Sequence, residues 1–508
     1  MQAPPKKLIY GLMGFLLVYA IFRSVLAAAG RAFWYDELLT LTVSSLGSWK
    51  SILDALRRPL DGQPPFFYVI EHFASGFTRN QEIALRLPSI LAFPCTLACV
   101  FIYTKKRGGE LVALLCAAFV LTTSVFQTYA IEARPYSMVV ACMAFALVCY
   151  QRAPSPIWMV LLAACLALAQ SLHYMAVLAM VPFGLAEAVH FWISRKFRWP
   201  VWAALIVGAV PLLLFWNLLA INKVYYGAHF WASFQFSVIP GIYTQLFLSG
   251  SEYGAGIAGV VLAGVLGTVL WQQQAGPSDI EEKTRQLAEA TLLFGLAALP
   301  FAGYLLSSVL HSGMTPRYVL STSIGVAVAL GYILTRAKPG VVALFAVFVF
   351  SAVGVQELHF WRSSRADIET VKLSGVAAGK FIESAGHKEL PVVVPNGLAL
   401  LWLTHYASPP ATDRLLYPTP DHLPSDHTWT DTVDKGLEAA VDYLPLRVSN
   451  FTEFAAAHKE FLLYAVDEDT PRDWLTMRLS REGWSMETVA LDDSRRIYLI
   501  TSRGNFSQ

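Results

Sequence analysis

The chain has 508 residues, of which 55% are hydrophobic and only 15% charged, and its mean hydropathy is +0.49. Soluble proteins carry about 25% charged residues, so this composition excludes a typical cytosolic enzyme, a disordered chain and a nucleic-acid binder, and leaves an integral membrane protein. The net charge of +2 conceals a split: residues 1–359 hold 23 Lys and Arg against 15 Asp and Glu, whereas residues 360–508 hold 15 against 21. The basic charge belongs to the apolar part, and the tail is mildly acidic.

A membrane span needs about 20 mostly apolar residues. Eleven such stretches are read, near 8–28, 83–103, 111–127, 137–151, 157–173, 175–193, 201–221, 254–272, 290–310, 318–336 and 340–358. The first follows Lys6 and Lys7 and ends near Ala27, Ala28 and Ala29, a pattern shared with cleavable signal peptides. A retained anchor fits better, because the later spans still alternate in charge. With the amino terminus in the cytoplasm, thirteen basic residues fall on the inner side: Lys6, Lys7, Lys105, Lys106, Arg107, Arg152, Arg195, Lys196, Arg198, Lys283, Arg285, Arg336 and Lys338. The short outer loops hold one cation each, Arg134, Lys223 and Arg317. This topology puts five segments outside: 29–82, 128–136, 222–253, 311–317 and the tail from 359.

Residues 360–508 lose the continuous apolar runs. Strand-like stretches at 391–394, 461–466 and 496–500 alternate with helical patterns around 366–384 and 471–482, which predicts a small α/β domain. The stretch 408–434 is rich in Pro, Asp, Thr and Ser and reads as a loop. The tail shows no phosphate-binding glycine loop and no serine elbow. Cys95, Cys99, Cys116, Cys142, Cys149 and Cys165 all lie in apolar runs, which argues against a disulfide framework, and no Cys/His spacing suggests zinc. No internal repeat is present.

The chemistry-bearing residues sit at the outer ends of the spans. Trp34-Tyr35-Asp36-Glu37 places two carboxylates just beyond the first span. It reads either as an interfacial aromatic belt with a helix start or as a carboxylate base at the membrane surface. The second outer loop packs Glu132, Arg134, Tyr129 and Tyr136 into ten positions, as a surface ion pair worth little or as a phosphate site. Lys223-Val224-Tyr225-Tyr226 and Thr315-Pro316-Arg317-Tyr318 each set a lone cation before tyrosine. His173 ends the fifth span on the same side. Any one cation serves as a headgroup anchor; gathered on one face with an acidic pair, they point to function. Arg offers a planar fork to phosphate oxygens and Lys a point charge.

That combination suits an amphiphile with an anionic head, and a polyprenyl-phosphate sugar fits. The lipid lies among the spans, the phosphate meets Arg and Lys, and Asp36 takes the acceptor proton. Displacement at the anomeric carbon then needs one base, plus cations where charge develops on the departing phosphate. No cofactor is required; a divalent cation bridging Asp36 to phosphate is compatible with the scheme but not favoured.

The ordered motifs resemble the GT-C membrane glycosyltransferases, and within them the bacterial relatives of protein O-mannosyltransferases and of the lipid A aminoarabinose transferase. Trp34-Tyr35-Asp36-Glu37 resembles the family's aspartate–glutamate motif, and Pro64-Pro65-Phe66-Phe67-Tyr68 its His-Pro-Pro-Leu-Tyr-Tyr stretch. Arg86-Leu87-Pro88-Ser89, Glu132-Ala133-Arg134-Pro135-Tyr136 and Pro316-Arg317-Tyr318 resemble three further motifs. The motifs cover about residues 1–335. The resemblance implies a polytopic α-helical fold of about eleven transmembrane helices (1–358, with the catalytic outer loop at 29–82) and a C-terminal soluble α/β domain (359–508). It implies inverting transfer from a polyprenyl-phosphate sugar to a hydroxyl on a lipid, glycan or protein acceptor. Asp36 is then the general base, and Arg134 and Arg317 bind donor phosphate. Tyr35, Glu37, Gln63, Glu132, Tyr136, His173, Lys223 and Tyr318 complete the expected substrate-binding set. Gln63 departs from the family's His before Pro-Pro, so hydrogen bonding is kept there and proton handling is lost. Leu53, Leu56 and Leu60, with Arg57 and Arg58 opposite, fit an amphipathic helix lying on the membrane. The expected location is a bacterial inner membrane, amino terminus cytoplasmic and tail periplasmic. The alternatives are a transporter or flippase of the same lipids, which needs ionisable groups near mid-membrane, and a non-catalytic scaffold, which has no need of Asp36.

Overall fold

A computed structural model of the chain describes residues 4–502 apart from 230, 233–234, 248–255, 257–258, 261–262, 265–266, 268–279, 311–312, 368–369, 422–429, 467–473 and 493. Packing divides the chain into two units, one of residues 1–29, 62–220 and 232–365, the other of residues 30–61, 221–231 and 366–508.

The first unit is helical. Its helices run Lys6–Gly30, Pro65–Ala74, Gln81–Leu121, Ser124–Tyr129, Tyr136–Tyr150, Pro156–Leu172, Ala176–Ser194, Trp199–Leu214, Val238–Leu246, Ile280–Ala297, Leu299–Leu310, Thr322–Leu334 and Pro339–Asp367, with Trp216–Tyr226 shared across the unit boundary. Ten of the eleven predicted stretches coincide with these helices; the eleventh, 254–272, lies largely outside the described residues. Among the described residues, four helices have the length and hydropathy to cross a bilayer alone: Lys6–Gly30, Gln81–Leu121, Ala176–Ser194 and Pro339–Arg362. Two more pairs do so together, Trp199–Leu214 with Trp216–Tyr226 and Ile280–Ala297 with Leu299–Leu310, bent by 52° and 61°. Gln81–Leu121 is two helices meeting at a kink, at a non-helical Gly109 with φ 72°, a left-handed conformation glycine adopts without a Cβ penalty; the kink falls between the predicted stretches 83–103 and 111–127.

Small residues let these helices close on one another, the usual device where lipid provides no hydrophobic drive. A Cβ on Gly208 would lie 2.5 Å from Leu166, and one on Gly325 2.7 Å from the Leu296 and Ala297 backbone. Polar residues deep in the spans are tied together. Arg23 bonds Glu357 at 2.9 Å and Gln127 at 2.9 Å, and Tyr19 donates to Glu357 at 2.5 Å. Glu187 pairs with Arg198 and accepts from Tyr150 at 2.6 Å. The six cysteines are free thiols.

The second unit is an α/β domain. Strands β1 (Val392–Val393), β2 (Leu415–Thr419), β3 (Val448–Asn450), β4 (Glu460–Val466), β5 (Ser485–Leu491) and β6 (Arg495–Thr501) form one sheet in the order β3-β2-β1-β4-β6-β5. β3, β2, β1 and β4 are parallel, whereas β6 runs antiparallel to β4 and β5, with Phe461 opposite Ile500. Helix Thr370–Ser384 precedes the sheet, and helices Gly397–Tyr406, Thr432–Ala440, Phe451–Ala457 and Trp474–Arg481 lie between its strands. Val393, Phe451, Phe454, Phe461, Leu463, Leu475, Leu479 and Ile500 make one core cluster. The sequence marks three of the six strands. It misses β2 in the stretch read as a loop, because Pro418 and the flanking Asp and Thr residues mask a strand whose side chains are nearly all buried. The helix predicted to end at 358 continues to Asp367.

Two segments from among the apolar spans join this unit. Helices Tyr35–Ser44 and Trp49–Arg57 come from the first outer segment. On the latter, Leu56 is buried and Arg57 and Arg58 are exposed, as its amphipathic pattern predicts. Arg58 pairs with Asp442 of the tail.

Candidate active site

In the second unit, the chain reaches helix Tyr35–Ser44 through an extended Trp34, φ −97° and ψ 177°. Asp36 and Glu37 occupy the first turn, where carboxylates complement the helix dipole. Their environments differ. Glu37 is fully buried and its Oε2 accepts the Trp34 N–H at 3.3 Å, which satisfies one amide at the helix start. Asp36 is half-buried while Phe33, Tyr35, Glu37 and Leu38 around it are buried. Tyr35 donates to the Val433 carbonyl at 3.4 Å. Burial, reinforced by Tyr226, Asp36, Asp61 and Asp434, holds the Tyr35 phenol well above its ordinary pKa, so it stays a neutral hydroxyl. Tyr226 donates to the Pro59 carbonyl at 2.6 Å. Asp61, 7% exposed, is a second carboxylate within electrostatic reach of Tyr35 and Tyr226. Sequence reasoning passed over it; the signal is an acid two residues before Gln63-Pro64-Pro65. Lys223 is exposed.

In the first unit, five of the predicted residues form an aromatic and cationic cluster. The His173 ring lies 5.2 Å from Tyr136 and 5.5 Å from Tyr318. The Arg317 guanidinium stands 5.6 Å from the Tyr136 ring centre and 5.7 Å from that of Tyr318. Arg134 and Arg317 both lie within electrostatic reach of His173. His173 Nδ1 accepts the Met175 N–H at 3.0 Å, which places the ring proton on Nε2. Tyr129 adds a ring 4.9 Å from Tyr136. Arg134 and Glu132 are each 3% exposed, and Arg317 and Tyr318 are half-buried. Two arginines close to one imidazole and ringed by tyrosine present cationic forks in a largely desolvated setting, the chemistry that recognises a phosphate.

The Arg-Leu-Pro-Ser motif supports this cluster. Ser89 donates to the Arg134 carbonyl at 2.9 Å, and Ser137 donates to the Ser89 carbonyl at 3.1 Å. Arg86, fully buried, donates to the Ala28 carbonyl at 2.8 Å, satisfying the last turn of the first helix. Gln63, 8% exposed, donates its backbone N–H to Tyr68 at 3.4 Å, and its side-chain oxygen has no partner among the described residues.

No family model matches the sequence, and no curated protein matches it. The solved structures do. ArnT from Cupriavidus metallidurans in the apo state aligns with a TM-score of 0.58 at 15% identity, covering 96% of this chain and 97% of that one. The chain has the GT-C fold. The same ArnT bound to undecaprenyl phosphate aligns with a TM-score of 0.56 at 15% identity and the same coverage. The Archaeoglobus fulgidus oligosaccharyltransferase complex with Zn and sulfate aligns at 0.44, with 11% identity over 78% of this chain and 61% of that one, below the level that argues for a shared fold. With its apolar helices, this GT-C chain is a multi-pass membrane protein.

Proposed function

We propose that the protein is an inverting glycosyltransferase that moves a sugar from a polyprenyl-phosphate donor to a hydroxyl acceptor on the periplasmic face of the inner membrane. The observation that carries this reading is the Arg134–Arg317–His173 cluster ringed by Tyr136 and Tyr318, set in a chain whose fold follows ArnT from end to end. The undecaprenyl phosphate held by that relative supports a lipid-phosphate donor.

In this mechanism Asp36 accepts the proton of the acceptor hydroxyl. The acceptor oxygen forms its bond to the anomeric carbon as the bond from that carbon to the phosphate oxygen breaks. The departing polyprenyl phosphate keeps the electron pair, and Arg134 and Arg317 neutralise the charge that grows there. A phosphate leaves without protonation, so one base suffices and no cofactor is required. The acceptor is a lipid, a glycan or a protein. The amino terminus is cytoplasmic and the tail periplasmic.

A single displacement inverts the anomeric centre. The test is the anomeric configuration of donor and product, read by NMR from a wild-type reaction in proteoliposomes. Opposite configurations are expected; retention would require a covalent glycosyl intermediate and overturn the one-base mechanism.

A further inference from the structure

The C-terminal domain holds the segment that carries Asp36 at two points. Phe33, 1% exposed, is three residues before Asp36, and its N–H donates to the Tyr406 hydroxyl at 2.8 Å. Its ring meets His405 edge-on at 6.0 Å. Both tail residues lie on the last turn of helix Gly397–Tyr406, whose start is fixed by Asn396 accepting from Leu398 and Ala399. Tyr406 is itself held: a Cβ on Gly375 of the neighbouring helix would lie 2.4 Å from the Tyr406 Cβ. The second point is Tyr35, directly before Asp36, whose hydroxyl reaches the Val433 carbonyl at 3.4 Å. That approach needs a glycine opposite, because a Cβ on Gly436 would stand 2.2 Å from the Tyr35 hydroxyl oxygen. Of the residues immediately before Asp36, one backbone amide and one side chain are thus bonded to the tail.

We propose that the C-terminal domain is part of the catalytic apparatus, with Tyr406 a positioning residue that fixes the extended lead into the Asp36 helix through the Phe33 amide. The proposal rests on Asp36 being the base. A tail that only docked acceptor or covered the membrane domain would not need to grip the backbone there. A carboxylate base works only within hydrogen-bond reach of its proton, and a misplacement of about 1 Å costs up to about 100-fold in rate. The effect therefore falls on turnover and not on donor binding.

The experiment uses the full-length protein in proteoliposomes, wild type beside Tyr406→Phe, Gly436→Ala and Asp36→Asn. Three quantities are read: transfer rate at saturating donor from a panel of polyprenyl-phosphate sugars, Kd for undecaprenyl phosphate, and apparent Tm. Tyr406→Phe is expected to lower the saturated rate about 10- to 100-fold, with Kd changed by less than about twofold and Tm unmoved. Gly436→Ala, which displaces Tyr35, is expected to lower the saturated rate with Kd changed by less than about twofold and some loss of Tm, and stands in if Tyr406→Phe does not fold. Wild-type turnover in both variants overturns the proposal, as does a rate loss matched by loss of Tm and donor affinity, which marks a structural role only. Asp36→Asn separates the two levels. If it is inert and Tyr406→Phe turns over normally, the positioning role alone is wrong; if it turns over normally, the base assignment fails and this proposal with it.

Discussion

Arg317 and Arg134 were legible in the sequence as lone cations at span ends, and the fold brings both to the same imidazole. Their neighbours were legible too, since Tyr136 and Tyr318 stand one or two positions along the chain from an arginine. Arg317 is half-buried among rings, and under the proposed function its removal takes one cation from the donor phosphate. Arg317→Ala is expected to weaken undecaprenyl phosphate binding by about 2–5 kcal/mol, measured as a Kd in nanodiscs; unchanged affinity removes Arg317 from the phosphate site. Asp61 was not legible. Its place beside Tyr35 and Tyr226 depends on a turn of chain between two short helices that no local pattern announces. Glu37 shows the converse: adjacent to Asp36 in sequence, it is buried and bonded to the Trp34 amide.

Apolar run length located the helices well, because desolvation of the backbone leaves a membrane segment little choice but helix. It gave no account of the bends. Hydropathy is blind to the break between Leu214 and Trp216 or to the 61° turn before Leu299, since apolar composition continues through both. In the tail, the three-residue strand β3 is too short to show a period. The deep polar residues Arg23 and Glu187, which a transporter would use in mid-membrane, are instead committed to partners on neighbouring helices. Arg23 and Glu357 are buried to 10% and 14% side-chain exposure. Breaking such a pair strands one charge, at about 3–5 kcal/mol, whereas replacing both partners by apolar residues is close to neutral. Arg23→Ala is therefore expected to lower the apparent Tm strongly, and the double variant Arg23→Met with Glu357→Leu to recover most of it. A double variant as unstable as the single one would show that the pair is not what holds these helices.

At the scale of the whole molecule, charge asymmetry separates an apolar, basic stretch from an acidic tail, whereas packing groups residues 366–508 with 30–61 and 221–231. What one-dimensional reading could not supply is that residues 30–61 and 221–231 pack with the tail, because such a union is made by contacts hundreds of residues apart, such as Phe33 with Tyr406 and Tyr225 with Lys435. Orientation rests on the distribution of basic residues. In intact cells a membrane-impermeant maleimide is expected to label Lys459→Cys in the tail but not Lys196→Cys or Lys338→Cys until the membrane is opened. The reverse pattern would invert the topology and move Asp36 to the cytoplasmic side.

The central claim is sugar transfer that depends on one carboxylate. Its most direct test is a paired assay of wild type and Asp36→Asn in lipid, offered radiolabelled polyprenyl-phosphate sugars with a membrane extract as the acceptor source. Wild type is expected to transfer label from at least one donor. Asp36→Asn is expected to bind undecaprenyl phosphate with unchanged affinity yet turn over about 10²- to 10⁴-fold more slowly, the share a general base contributes. Near-normal turnover by Asp36→Asn would contradict the account, and lipid movement across the bilayer without transfer from any donor would replace it with transport.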